Sequence, residues 1–218
     1  MIFEQISSGG DRNYGYLVGC TETKEAAVID PSPDPANCYN RSRELGLTVK
    51  YIINTHTHYD HTGGNSFFQS KGAKLVTHQK DPIGDMLVKE DDTLEVGKLN
   101  LSFIHTPGHT QESMCVLVKN TVSGLTMNLV TGDTLFVGKV GGTYTRKDAE
   151  SEFDSLKKLM DLDPKTNVWP GHNYGTNPTS TIGNELETNP FIQRLNSFDD
   201  FTWLKENWAQ YKKENGIS

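Results

Sequence analysis

The sequence is poor in cysteine, in long apolar runs and in excess positive charge, and each shortage removes a class of protein. Three cysteines in 218 residues, Cys20, Cys38 and Cys115, are widely spaced, odd in number and without a C-x-x-C pair. They do not make a disulfide framework and read as reduced thiols of a reducing compartment. No apolar run approaches the length of a membrane span, and the opening "MIFEQISSGGDRNYGYL" lacks a basic region followed by an apolar one. The expectation is a cytoplasmic protein with no membrane partner. Lys and Arg number 21 against 28 Asp and Glu, a formal net charge of −7, which disfavours an extended nucleic-acid surface but leaves room for a local basic patch on a small-molecule substrate. There is no repeat, low-complexity segment or long linker. The length suits one domain over residues 1–218, with a short helical extension over about 181–218.

Short β-type runs fill the first two thirds: "MIFEQI", "YGYLVG", "AAVID", "VKYIIN", "KLVTH", "LNLSFIH", "MCVLV" and "TMNLVT", most of them bounded by turn residues. Helical periodicity marks Pro35 to Leu45, Thr62 to Ser70, Asp148 to Leu162 and Asp199 to Glu214. In the third, Phe153, Leu156, Leu159 and Met160 form one apolar stripe, with acidic residues early and lysines late, as the helix dipole favours. Hairpin-like neighbours alternate with helix-separated strands, so the α/β (α+β) fold expected is a layered sandwich of mixed sheets with helices outside.

What the chain does have is a local density of metal-ligating groups. "NTHTHYDHTGGN" places His56, His58, Asp60 and His61 within six positions, in a chain with only seven histidines. Further on, His109, Asp133 and His172 each sit just beyond an apolar run at a Gly-containing turn, as His56 does. Strand ends present loop side chains at one edge of a rigid sheet, so these segments are expected to converge. Five imidazoles and two carboxylates without a thiolate form an N/O ligand set suited to zinc, and also to iron or manganese. Seven ligands are too many for one tetrahedral ion and fit two divalent ions that share a carboxylate, about 3.5–4 Å apart. The His56-Thr57-His58 alternation lets two imidazoles reach one ion while Asp60 and His61 turn to the second, and Gly63 and Gly64 are expected to let the chain bend away. Helix capping by loop polar residues would need at most one of these groups and explains none of the downstream ones.

H-x-H-x-D-H with a later His, Asp and His resembles the metallo-β-lactamase superfamily from about Gly15 to Pro190. Within it "TPGHT", "TGDTLF" and "PGHNYG" are similar to the glyoxalase II-like (hydroxyacylglutathione hydrolase-like) branch. The resemblance implies a four-layer αββα sandwich. His56, His58 and His109 would hold the first metal and Asp60, His61 and His172 the second, with Asp133 bridging. Asp30 either supports the metal loop from behind or is simply a turn residue in "DPSPDP". The implied activity is a metal-dependent hydrolase that uses a metal-bridged hydroxide on a small thioester or a related ester or lactone, with Asp60 and Asp133 orienting water and relaying its proton. The tail "STIGNELETNP" and "TPGHT" also resemble the persulfide dioxygenases, whose mononuclear iron site would here use His56, His109 and Asp133. A third alternative is a non-catalytic metal-binding domain.

Gly142 stands where relatives carry a basic substrate contact. Lys139, Tyr144, Arg146 and Lys147 are candidates to replace it, or form a solvated loop, and Tyr174 either reaches the substrate or is packed with its hydroxyl satisfied. His78 and His105 are read as structural. Phe201, Trp203, Trp208 and Tyr211 are read as docking or homo-oligomer contacts.

Overall fold

The apolar runs become two six-stranded sheets laid face to face. The computed structural model describes residues 1–119 and 127–217. Its first half holds β1 (Ile2–Gly9), β2 (Asn13–Gly19), β3 (Glu25–Ile29), α1 (Pro35–Glu44), β4 (Thr48–Ile53), α2 (Tyr59–Thr62), α3 (Asn65–Gln69), β5 (Lys74–His78) and β6 (Met86–Val88). The second half holds β7 (Thr93–Val96), β8 (Leu99–His105), β9 (Met114–Lys119), β10 (Met127–Gly132), β11 (Leu135–Phe136), β12 (Lys139–Val140), α4 (Arg146–Met160), β13 (Asn167–Pro170), β14 (Ser180–Thr181), α5 (Ile182–Thr188), a 3-10 turn at Ile192–Arg194, α6 (Phe198–Glu206) and α7 (Trp208–Asn215). The sheets run β1-β2-β3-β4-β5-β6 and β14-β13-β10-β9-β8-β7, and β11-β12 form a small ribbon.

Alternate side chains of one strand point to opposite faces. In β2, β3, β4 and β5 both faces are apolar, so these strands read as continuous rather than alternating runs. Tyr16, Ala27, Ile29, Ile53 and Val76 turn inward and pack with Leu101, Phe103, Val116 and Val130 of the second sheet. Leu17, Val28, Ile52 and Leu75 turn outward to Cys38 and Phe68, on α1 and α3. The second sheet does the same: Cys115, Leu117 and Leu129 face outward to Leu156 and Leu159 of α4, Ile182 of α5, and Phe201 and Leu204 of α6. Four layers result, each inner sheet covered on both faces. Burying one such Leu or Ile contributes about 1.5–3 kcal/mol. All three cysteines are free and buried. Among the described residues, no helix is long and apolar enough to cross a membrane.

Two helical expectations need correction. Thr62 to Ser70 is not one helix: α2 ends at Thr62 and α3 begins at Asn65. Gly63 and Gly64, expected to supply a sharp bend, have ordinary right-handed backbone (φ −58° and −85°). What Gly64 provides is room, because a Cβ there would overlap the Pro31 carbonyl oxygen. The span Asp199 to Glu214 is likewise broken at Asn207, which ends α6 and begins α7.

The topology fixes where the loops meet. β3 and β4 are parallel, and so are β10 and β13. β8 is antiparallel to β9 and β9 to β10, so β8 points the same way as β10. The segments that follow β3, β4, β8, β10 and β13 carry Asp30, the His56–His61 stretch, His109, Asp133 and His172.

Candidate metal centre

All seven residues expected as ligands come together. The ligand atoms of His56, His58 and His109 lie within 4.8 Å of one another, and those of Asp60, His61 and His172 form a second such group. Asp133 stands between them. Its Oδ2 is 3.6 Å from His109 Nε2 and 3.4 Å from His172 Nε2, and its Oδ1 is 3.4 Å from His61 Nε2.

The groups behind the imidazoles decide which nitrogen faces inward. His109 Nδ1 lies 2.8 Å from the Gly142 carbonyl oxygen and His172 Nδ1 2.8 Å from that of Asp11. A carbonyl only accepts, so each Nδ1 carries the proton and each neutral ring turns its Nε2 lone pair to the centre. His61 Nδ1 donates to Asp30 Oδ2 at 2.9 Å. Asp30 also takes the Thr55 hydroxyl proton at 2.6 Å and the Thr55 N–H at 2.8 Å. The Thr55 oxygen is thereby left to accept from His56 Nδ1 at 3.0 Å. Asp30 follows β3 in the left-handed region (φ 46°) and hydrogen-bonds His61 directly and His56 through the Thr55 hydroxyl.

This arrangement fits cations. His61 Nε2 and His172 Nε2 approach to 3.2 Å, and His58 Nδ1 lies 3.2 Å from His56 Nε2 and 3.0 Å from His109 Nε2. The ring nitrogens thus converge on two small volumes, where a proton on one ring or a bound cation would satisfy the facing lone pairs. Asp133 Oδ1 is buried with no hydrogen-bond partner, a costly state for a carboxylate oxygen that a cation would relieve. The local field agrees. Burial works against a charged His61, yet Asp30, Asp133 and Asp60 outweigh it and push the imidazole up to about 9. Burial would raise Asp133, but His172, His61 and His56 hold it well below the usual carboxylate range. Burial and His61 press His56 well below its ordinary value, keeping it a neutral donor.

Several contributors were invisible to sequence reasoning. Asn13 Nδ2 donates to Asp60 Oδ2 at 2.9 Å, and the Asp11 carbonyl sets His172. Both come from the β1–β2 turn and the start of β2, where the Tyr14 N–H donates to the Gly171 carbonyl of the last ligand loop at 2.9 Å. A backbone carbonyl has no sequence signature, so only the fold reveals it. His78 and His105 stack at 4.1 Å, and His105 Nε2 donates to the Gln111 carbonyl at 3.0 Å, consistent with their structural reading.

The four candidate substrate residues line two clefts beside the centre. One, of about 470 Å³, takes in Lys139, Gly142, Tyr144, Arg146 and Trp208. Tyr144 is exposed there, while Arg146 pairs with Asp199 at 3.1 Å. The other, of about 770 Å³, takes in Asp11, Arg12, Lys139, Tyr174 and Lys212. Tyr174 stacks on His172 with centroids 4.6 Å apart and donates its hydroxyl to Asp11 at 2.7 Å. Lys139 Nζ and the Arg12 guanidinium both lie over its ring, at 4.9 and 4.8 Å from the centroid.

An αββα sandwich with two His/Asp ligand groups at one sheet edge is a metallo-β-lactamase arrangement, and residues 9–172 match the family model of the Metallo-beta-lactamase superfamily. The chain belongs to that superfamily. Within it, the chain is 37% identical over 182 residues to a hydroxyacylglutathione hydrolase of Polaromonas sp., covering 80% of this chain and 67% of that protein. Among solved structures, ETHE1 from Myxococcus xanthus overlays with a TM-score of 0.85 at 29% identity, covering 95% of this chain and 91% of that one. TTHA1623 in a di-iron-bound form overlays with a TM-score of 0.70 at 26% identity, covering 86% and 99%.

Proposed function

We propose that this protein is a dinuclear metal-dependent hydrolase acting on a small thioester, with related esters or lactones as secondary substrates. The observation that carries this reading is the pair of ligand groups, His56/His58/His109 and Asp60/His61/His172, with Asp133 within 3.6 Å of members of both. The relative named hydroxyacylglutathione hydrolase supports the thioester assignment, and the neighbour solved in a di-iron-bound form supports two ions. Zinc is the proposed metal, with iron or manganese as alternatives, since the donors are nitrogen and oxygen only.

When bound, two divalent ions lower the pKa of a water towards neutrality and polarise an acyl carbonyl. The protein's own share is positioning and proton handling. Asp60, half-exposed and steadied by Asn13, is placed to accept a proton from a water lying over the two groups. Asp133, held ionised between His61, His109 and His172, fixes the spacing of the two sides.

Substrate would enter by the two clefts. Arg12, Lys139 and Lys212 gather positive charge on one of them, and burial together with Lys212 and Arg12 holds Lys139 below its ordinary value. In a chain of net charge −7, that concentration suits a thiol half that carries carboxylates. The partner is thus a small molecule rather than nucleic acid or a membrane, in the cytoplasmic setting the sequence suggests.

The second reading, a mononuclear iron oxygenase of the persulfide dioxygenase type, draws on the overlay with ETHE1. It would leave the Asp60/His61/His172 group without use. Hydrolysis of a thioester panel, run beside oxygen uptake with glutathione persulfide, tests the choice. Thioester turnover without oxygen uptake is expected. Oxygen uptake without thioester turnover would overturn the hydrolase in favour of the oxygenase.

A further inference from the structure

A buried ion pair far from the ligand motif touches two segments around His109: the loop that carries it and the Gly141–Gly142 loop behind its ring. Glu152 lies on the inner face of α4 and is fully buried, a position where the apolar stripe of that helix would otherwise continue. Lys205, from α6, ion-pairs with Glu152 Oε2 and donates from the same ammonium to the Gly141 carbonyl at 2.7 Å. The next carbonyl, that of Gly142, receives the His109 Nδ1 proton.

The other end of the pair bears on the loop that carries His109. Gly108 has φ +149°, and a Cβ there would collide with the backbone and Cβ of Glu152. One turn further along α4, Ser155 Oγ donates to the Pro107 carbonyl at 2.8 Å. The α4 backbone at Glu152 and the Ser155 hydroxyl therefore seat the loop before His109, while the Glu152 carboxylate holds Lys205 on the loop that orients the imidazole.

Stability alone does not account for this pair. Burying two charges costs desolvation that their attraction only partly returns, and apolar replacements of similar volume are often neutral or stabilising. Here Glu152 Oε1 is left with no hydrogen-bond partner, which makes the bargain worse.

We infer that Glu152 and Lys205 are positioning residues: through the Gly141–Gly142 backbone they set the His109 ring, and so the affinity of the His56/His58/His109 group for its metal. This rests on the reading of His109 as a ligand. The same network makes α6 a working part of the centre and not only a cover for the second sheet.

The test is zinc competition against a chromophoric chelator, with the two sites resolved, on the wild type and on Glu152→Met combined with Lys205→Met. Thermal unfolding of the metal-free proteins is recorded alongside. The expected result is an unchanged or higher Tm, with the first site's affinity 10- to 100-fold weaker, the range for groups that orient ligands, and the second site's unchanged. Lys205→Arg, which keeps a cation against Glu152 and the Gly141 carbonyl, should retain most of the wild-type affinity. If the double variant does not fold, Glu152→Gln replaces it, read by the His109 ring signals in nitrogen-15 NMR of the metal-free protein. Those signals should shift. Unaltered zinc affinity in the double variant, or unaltered His109 signals in Glu152→Gln, would overturn the inference. A wild type that binds no zinc would instead overturn the metal reading beneath it.

Discussion

His56, His58 and His109 meet as three imidazoles braced by uncharged groups, a threonine hydroxyl behind His56 and a backbone carbonyl behind His109. Asp60, His61 and His172 meet beside carboxylates, with Asp30 directly behind His61. Burial pushes His56 and His109 towards the neutral form. On the other side burial is outweighed, by Asp30 at His61 and by Asp133 at His172, and both are raised. The first group therefore depends on ring orientation to aim its lone pairs, and the second on charge to draw a cation in. The same six-residue stretch feeds both, so the contrast comes from what packs behind each imidazole.

Asp133 is the one ligand candidate common to both sides, and its loss should have the largest effect. Asp133→Ala is expected to lower thioester turnover on the order of 10³-fold or more and bound zinc from two equivalents to one or fewer, read by kinetics and elemental analysis. Retention of both equivalents would break the picture of a shared carboxylate. Asp60→Asn should come next, with turnover down about 10²-fold or more because a proton acceptor is lost. Full turnover with both metals bound would remove Asp60 from the chemistry.

Asp30→Asn sharpens the contrast. It should weaken zinc at the Asp60/His61/His172 group, whose His61 it contacts directly, by about 10- to 100-fold, and weaken the three-imidazole group, which it reaches only through Thr55, by clearly less, as two-site titration would show. Equal weakening of both would mean that Asp30 acts mainly through Thr55 and His56.

Lys139→Ala should act on neither group. A KM raised about 5- to 10-fold for a carboxylate-bearing thioester, at little change in kcat, is expected from loss of one partly buried cation. The effect should shrink for an uncharged thioester.

The smallest effect concerns acid stability away from both groups. Burial, with His105 and Lys80 nearby, pushes His78 down to about 4. Its folded-state pKa is below the unfolded value near 6.5, so the unfolded chain binds more protons between those limits. The stability associated with neutral His78 is present above about pH 6.5 and lost as pH falls towards 4. In His78→Gln, the Tm of metal-free protein should fall less steeply across that window than in the wild type. Identical slopes would assign the acid sensitivity to the ligand histidines instead.

The longer strands could be placed from sequence because both faces of the inner strands are apolar, which leaves runs such as "YGYLVG" and "KLVTH" plain. The metal group could be seen because its members are chemically distinctive and each follows a strand. β6, β11, β12 and β14 could not, since two or three residues carry no periodicity. α5 falls within the helical extension expected over about 181–218, but periodicity does not mark it, for another reason. Its buried Glu185 accepts from the Gly138 N–H and from Asn189, so the helix is held by polar contacts where a hydrophobic stripe would have announced it. Helix breaks at Gly63–Gly64 and Asn207 were hidden because the apolar pattern runs across them. The braces were the least visible part. Asp11 lies 161 residues from His172, and Glu152 faces Lys205 from 53 residues away, separations at which only the packed sheets and helices create neighbours.

The most direct measurement is anomalous diffraction at the zinc edge from crystals of the zinc-loaded protein. Two peaks about 3.5–4 Å apart are expected, one within bonding reach of His56, His58 and His109, the other of Asp60, His61 and His172, with Asp133 touching both. A single peak, with Asp60, His61 and His172 hydrogen-bonded among themselves, would contradict the two-metal hydrolase.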